Sequence, residues 1–260
     1  MNKDRMKQKM IEVCERNIIQ RSQLRLKNCD LVFEEPYIPY LPDNWNKFLI
    51  LGEAQNLSSV SNENKDYIEM LKKRDREYRI KRLGKYPKNY EHKIGVGPWD
   101  DNSLKLAFAS IFGNGSIDQV SVSNAILWSV VDKNKRNPSS KLKGETEFKE
   151  LSEKLESRSR DIWIEFIKIM EPKYIIATGK VAHQVIQESI QGIEYLEWAH
   201  PAFIRRISFL FDEGDLLKRY TEVDNAIKAL KLNEDKEFRN KVFYACHCVS
   251  KSREIIDSLR

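Results

Sequence analysis

With 260 residues, 41% apolar and 32% charged, the chain is long enough to fill one well-packed core and too polar to be a membrane protein. No apolar run approaches the ~20 residues of a membrane span, and Met1-Asn2-Lys3-Asp4-Arg5 lacks the apolar core of a secretory signal, so a cytoplasmic protein is expected. The net charge of +6 points weakly to a polyanionic partner and excludes little, because many basic proteins bind no nucleic acid.

In chain order, residues 3–27 carry Met6, Met10, Ile11, Val13, Cys14, Ile18 and Ile19 at helical spacing, which predicts an amphipathic helix packed on the body. Leu31 to Pro42, with its three prolines, reads as a connector laid over the core. Phe48-Leu49-Ile50-Leu51 is a continuous apolar run, as expected of a strand buried on both faces of a parallel sheet. The strand, roughly Lys47–Gly52, ends on a glycine where backbone can turn tightly. A carboxylate and two amides follow it at Glu53, Gln55 and Asn56. Ligands of open α/β sheets bind outside the carboxyl ends of the strands, so this stretch is the first candidate for chemistry.

Residues 62–83 read as a charged helix within an insertion at about 61–90. Nine basic residues between Lys72 and Lys88 face only Asp75 and Glu77, which fits either a solvated face or a basic flap beside a nucleic-acid groove. Gly95–Asp101 is a tight loop, and Asn102 or Ser103 can cap a helix over 104–112. Gln119–Ser123 alternates like a short strand that stops at Asn124. Lys133 to Lys143 is a second basic loop, and 147–170 a long amphipathic helix ended by Glu171-Pro172. A buried strand over 173–178 leads through Gly179-Lys180 into a helix over 181–190. A fourth strand over 193–198 ends in Ala199-His200-Pro201. One helix spans 215–230. In the charged segment 231–260, Val242–Val249 fits strand or helix equally.

Strands alternating with helices imply crossovers and a parallel sheet. A single α/β domain over 1–260 is expected, three-layered α-β-α around four parallel strands. Neither GxGxxG nor GxxxxGK[ST] occurs, which disfavours Rossmann and P-loop nucleotide sites. Cys14, Cys29, Cys246 and Cys248 match no zinc spacing; reduced thiols, no metal and no cofactor are expected. A parallel sheet brings Glu53, Gln55 and Asn56, Asn124, Gly179-Lys180 and His200 to one edge. There a carboxylate, amides, a helix start and a histidine could read a planar base and polarise one of its carbonyls. The plainer readings stay open: Glu53 as a cap or ion-pair partner, Trp99 as core, Asn124 as a turn-satisfying amide. His183 reads as structural, and His92 and His247 as surface or core.

Several stretches, taken in order, resemble the uracil-DNA glycosylase superfamily. Gly52-Glu53-Ala54-Gln55-Asn56 resembles the Gly-Glu-Ala-Pro-Gly motif of its bacterial and archaeal branch. Val96-Gly97-Pro98-Trp99 stands where that branch carries an aromatic against the base, and Ser123-Asn124 resembles its base-binding asparagine. Glu171-Pro172-Lys173 through Gly179-Lys180-Val181-Ala182 and His200-Pro201-Ala202 resemble two further motifs, the second a His-Pro-Ser. The resemblance covers residues 47–56 and 94–205 and implies a DNA glycosylase acting as a monomer on a flipped-out base, with no membrane role. It implies Glu53, Asn56 and His200 as catalytic residues and Gln55, Trp99 and Asn124 as base-binding ones. Lys180, Arg205 and Arg206 would then hold phosphates, and Phe203 and Ile204 would wedge into the vacated stack. The chain departs from the family at Gln55-Asn56, in place of Pro-Gly, at Ala202, and in lacking the cysteines of the iron–sulfur branch. A side chain at Asn56 stands at the pocket wall, which with the basic insertion at 61–90 points to a modified base such as glucosylated hydroxymethylcytosine of phage DNA; a repair enzyme that removes uracil or another deaminated base is the competing reading. A binding module without catalysis is the alternative of a different kind.

Overall fold

The computed structural model describes residues 2–24, 29–31, 33–39, 41–42, 44–54, 102–113, 119–128, 130–132, 146–201, 212–232 and 238–253. The central sheet has four strands: β2 (Phe48–Ala54), β3 (Ser121–Ile126), β5 (Tyr174–Thr178) and β6 (Glu194–Trp198). They are all parallel, in the order β3-β2-β5-β6, as the continuous apolar runs predict. A separate antiparallel pair joins β1 (Cys29–Leu31) to β4 (Val130–Asp132).

Strand alternation splits the core into two layers. On one face Leu49, Leu51, Ile175 and Ala177 pack with α1 (Lys3–Arg16), α3 (Thr146–Met170) and α4 (Lys180–Ile186). Fully buried Met10, Ile162, Trp163, Phe166 and Ile186 fill that layer, each large side chain contributing ~1.5–3 kcal/mol. On the other face Ile50, Ile176, Leu196 and Trp198 pack with α2 (Asn102–Phe112), α6 (Thr221–Leu230) and α7 (Phe238–Lys251). α5 (Glu213–Arg219) precedes α6. The chain moves from β2 to β3 in one direction and from β3 to β5 in the other. The connecting helices α2 and α3 lie on opposite faces, as one hand of crossover requires. The result is a three-layer α/β fold. No helix among the described residues is long and apolar enough to cross a membrane.

Several boundaries differ from the sequence reading. The first helix stops at Arg16, where the Asn17 side chain donates to the Val13 carbonyl at 2.9 Å. Ile18 consequently lies outside the helix and is exposed. β2 runs on to Ala54, so Gly52 and Glu53 belong to the strand rather than follow it. β3 begins later and ends at Ile126, so Asn124 sits within it, opposite Gly52. Residues 29–31, expected in or beside a connector, form β1, because β4 supplies a partner. The helix expected over 215–230 is two, α5 starting after Asp212, whose carboxylate accepts from the Asp215 N–H, and breaking at Tyr220. The segment left open between strand and helix is α7. The helix expected over 62–83, the Gly95–Asp101 loop and the basic loop at 133–143 lie outside the described residues.

Candidate functional site

The strand order makes β2 and β5 the point where the winding reverses, and in open α/β sheets ligands bind outside the carboxyl ends of the strands at such a point. Thr178 ties the two strands together at that level, its hydroxyl donating to the Leu51 carbonyl at 3.0 Å. Each flanking strand then adds one polar side chain beside a glycine of its neighbour.

On the β3 side, Asn124 pairs with Gly52. Side chains of paired residues project from the same face, and Asn124 uses the space that Gly52 leaves bare. A Cβ on Gly52 would stand 2.8 Å from Asn124 Oδ1. Asn124 is half-buried, its side-chain oxygen beside the position that a Gly52 Cβ would take.

On the β6 side, His200 follows Trp198-Ala199 and lies against Gly179. The Gly179 N–H donates to the Trp198 carbonyl at 2.8 Å. Gly179 has φ 89° and ψ 167°, a region open essentially to glycine alone. A Cβ there would come within 3.1 Å of His200 Cβ. His200 and Lys180, the first residue of α4, are exposed. Asn124 and His200 are carried by strands three intervals apart, about 14 Å at ~4.8 Å per interval. Two side chains and a planar ring could fill that gap.

Glu53 comes one residue after Gly52, so alternation turns it to the opposite face, toward α3. Two bonds fix α3 against β3: Trp163 Nε1 donates to the Ala125 carbonyl at 2.9 Å, and the Leu127 N–H donates to Ser159 Oγ at 3.0 Å. One turn further towards the strand ends stands Glu156, a residue that the sequence reading does not single out. Its carboxyl is pushed above the ordinary range, first by burial, then by the negative charges of Glu53 and Glu153, against the opposing pull of Arg160. Arg160 also faces Glu188, Nη1 to Oε1, at 3.8 Å. The edge therefore carries an amide and an imidazole across its breadth and a carboxylate pair towards α3.

Of the sequence-predicted residues, Glu53, Asn124, Lys180 and His200 all stand at this edge. Gln55, Asn56, Trp99, Phe203, Ile204, Arg205 and Arg206 lie outside the described residues. Among the described residues no group of three or more His, Cys, Asp or Glu side chains could hold a metal ion. His183 shares a hydrogen bond with the Tyr195 hydroxyl and lies 3.8 Å from Glu197. Cys14, Cys246 and Cys248 are buried and free of disulfides; burial pushes the Cys246 thiol up to about 12 and the Cys248 thiol well above its usual range, so both are poor nucleophiles. Neither a protein-family model nor a curated protein matches the chain.

Proposed function

We propose that the protein is a DNA glycosylase that hydrolyses the N-glycosidic bond of a flipped-out modified base, such as glucosylated hydroxymethylcytosine in phage DNA, and leaves an abasic site. The observation that carries this reading is the carboxyl edge of the sheet, where Asn124 leans on Gly52 and His200 leans on Gly179. Turning a base out of the stack costs a few kcal/mol, which pocket contacts must offset. The Asn124 amide offers a donor and an acceptor to the base edge, and Trp99 a stacking surface of roughly 1–3 kcal/mol.

Cleavage leaves the C1′–N electron pair on the base and positive charge on the sugar. His200 donates a hydrogen bond to a base carbonyl as negative charge builds there, which lowers the barrier for departure. Water adds to C1′ and yields its proton to the Glu53 carboxylate, with Asn56 helping to hold that water and Gln55 lining the pocket. Burial first, and then the negative charges of Glu53 and Glu153, raise the Glu156 carboxyl on the same side of the sheet. Lys180, Arg205 and Arg206 hold backbone phosphates, and Phe203 and Ile204 fill the gap in the stack. The enzyme works as a monomer in the cytoplasm and needs no cofactor.

Phage DNA with glucosylated hydroxymethylcytosine and a uracil-containing duplex, each incubated with the protein and scored for alkali-labile abasic sites, test the proposal. Sites in the phage DNA are expected. Sites in the uracil duplex alone would make this a repair enzyme, and tight DNA binding with no sites in either would make it a binding module.

A further inference from the structure

We infer that the C-terminal helix α7 is the positioning element for His200, acting through Tyr244 and Ser252. This rests on the reading of His200 as a site residue. Tyr244 is buried on α7, and its hydroxyl donates to the Ala199 carbonyl at 3.0 Å. Ser252, buried in the turn that follows α7, accepts the indole N–H of Trp198 at 3.1 Å. Both bonds end on the two residues that lead directly into His200, from 45 and 54 positions away in sequence.

From the opposite side, the Gly179 N–H holds the Trp198 carbonyl, and the bare Gly179 Cα lies under the His200 side chain. The peptide carrying the imidazole is thus gripped between β5 and α7. Apolar packing alone would be met by Phe at 244 and Ala at 252. What the two hydroxyls add is direction: one fixes the orientation of the 199–200 peptide, the other fixes the rotation of the Trp198 ring on which that peptide turns. Tyr244 and Ser252 are buried and act on His200 through Ala199 and Trp198, so they are positioning residues.

Tyr244→Phe and Ser252→Ala, compared with the full-length wild-type chain, test this. The first readout is the imidazole nitrogen spectrum of the four histidines, with His200 assigned from His200→Gln. Both variants should move or split the His200 signals and leave those of His183 in place. The second readout is single-turnover base release, expected to fall about tenfold to a hundredfold for Tyr244→Phe, the scale of a misplaced catalytic group. In a His200→Ala background, Tyr244→Phe should then add no further loss. Unchanged His200 signals in folded Tyr244→Phe and Ser252→Ala, or a full additional loss without His200, would overturn the inference. Ser252→Ala carries the test if Tyr244→Phe does not fold. If the wild type releases no base from any DNA, the glycosylase reading fails, while the imidazole spectrum still decides the role of α7.

Discussion

The β3–β2 half and the β5–β6 half of the sheet edge solve the same problem by different physics. Each sets a polar side chain against a glycine, and each is held from behind by a helix, α3 for β3 and α7 for β6. At Gly52 the need is for space, since its backbone is ordinary strand and, among the described residues, the Asn124 amide stands in the way. At Gly179 the need is for backbone freedom, since its positive φ excludes side chains whatever room there is. The halves should therefore fail differently when each glycine gains a methyl group.

The largest effect on folding is expected at Gly179→Ala. A strained backbone and a 3.1 Å approach to His200 Cβ should together cost about 2 to 3 kcal/mol, read as a lower urea midpoint. A loss well under 1 kcal/mol would show that the turn is not fixed as described. Gly52→Ala should cost less, about 1 kcal/mol, because the amide it meets is the movable end of a side chain. Its signature is relief: adding Asn124→Ala should restore most of that stability, since the obstructing oxygen is gone. Purely additive losses would locate the problem elsewhere.

A smaller effect sharpens the contrast on the α3 side. The Glu156 carboxyl is raised above its ordinary 4.5 in the folded chain, so the folded state holds the extra proton. Its contribution to stability is complete below 4.5 and is lost as pH rises through the folded value. Glu156→Gln should melt higher than the wild type at pH 7 and equal to it below pH 4.5, as read in thermal melts across pH. A melting difference independent of pH would remove Glu156 from the pair with Glu53.

The sheet was legible because Leu49-Ile50-Leu51 and Tyr174–Thr178 are buried on both faces and need no alternation to be recognised. The local sequence puts Asn124 at a strand end, because an amide after an alternating run reads as a stop; pairing with β2, which the local sequence does not encode, carries the strand on to Ile126. β1 and β4 are three residues each, too short for a periodic signal. α7 hid its type because Lys241 to Cys246, Cys248 and Val249 are all buried, which erases the polar face that marks a surface helix. The break at Tyr220 carries no Gly or Pro. Glu53, Asn124 and His200 could be picked out as polar residues at the carboxyl ends of strand-like runs. Glu156 and Tyr244 could not, since their importance lies in what the fold sets beside them.

Mass analysis of the free bases released from several DNAs in a single turnover, by wild type and by His200→Ala, bears most directly on the carboxyl edge as a glycosylase site. Such a site predicts one free base from the wild type, and a loss of orders of magnitude in His200→Ala with DNA affinity largely kept. Undiminished release by His200→Ala, or DNA bound by the wild type with no base set free, would contradict it.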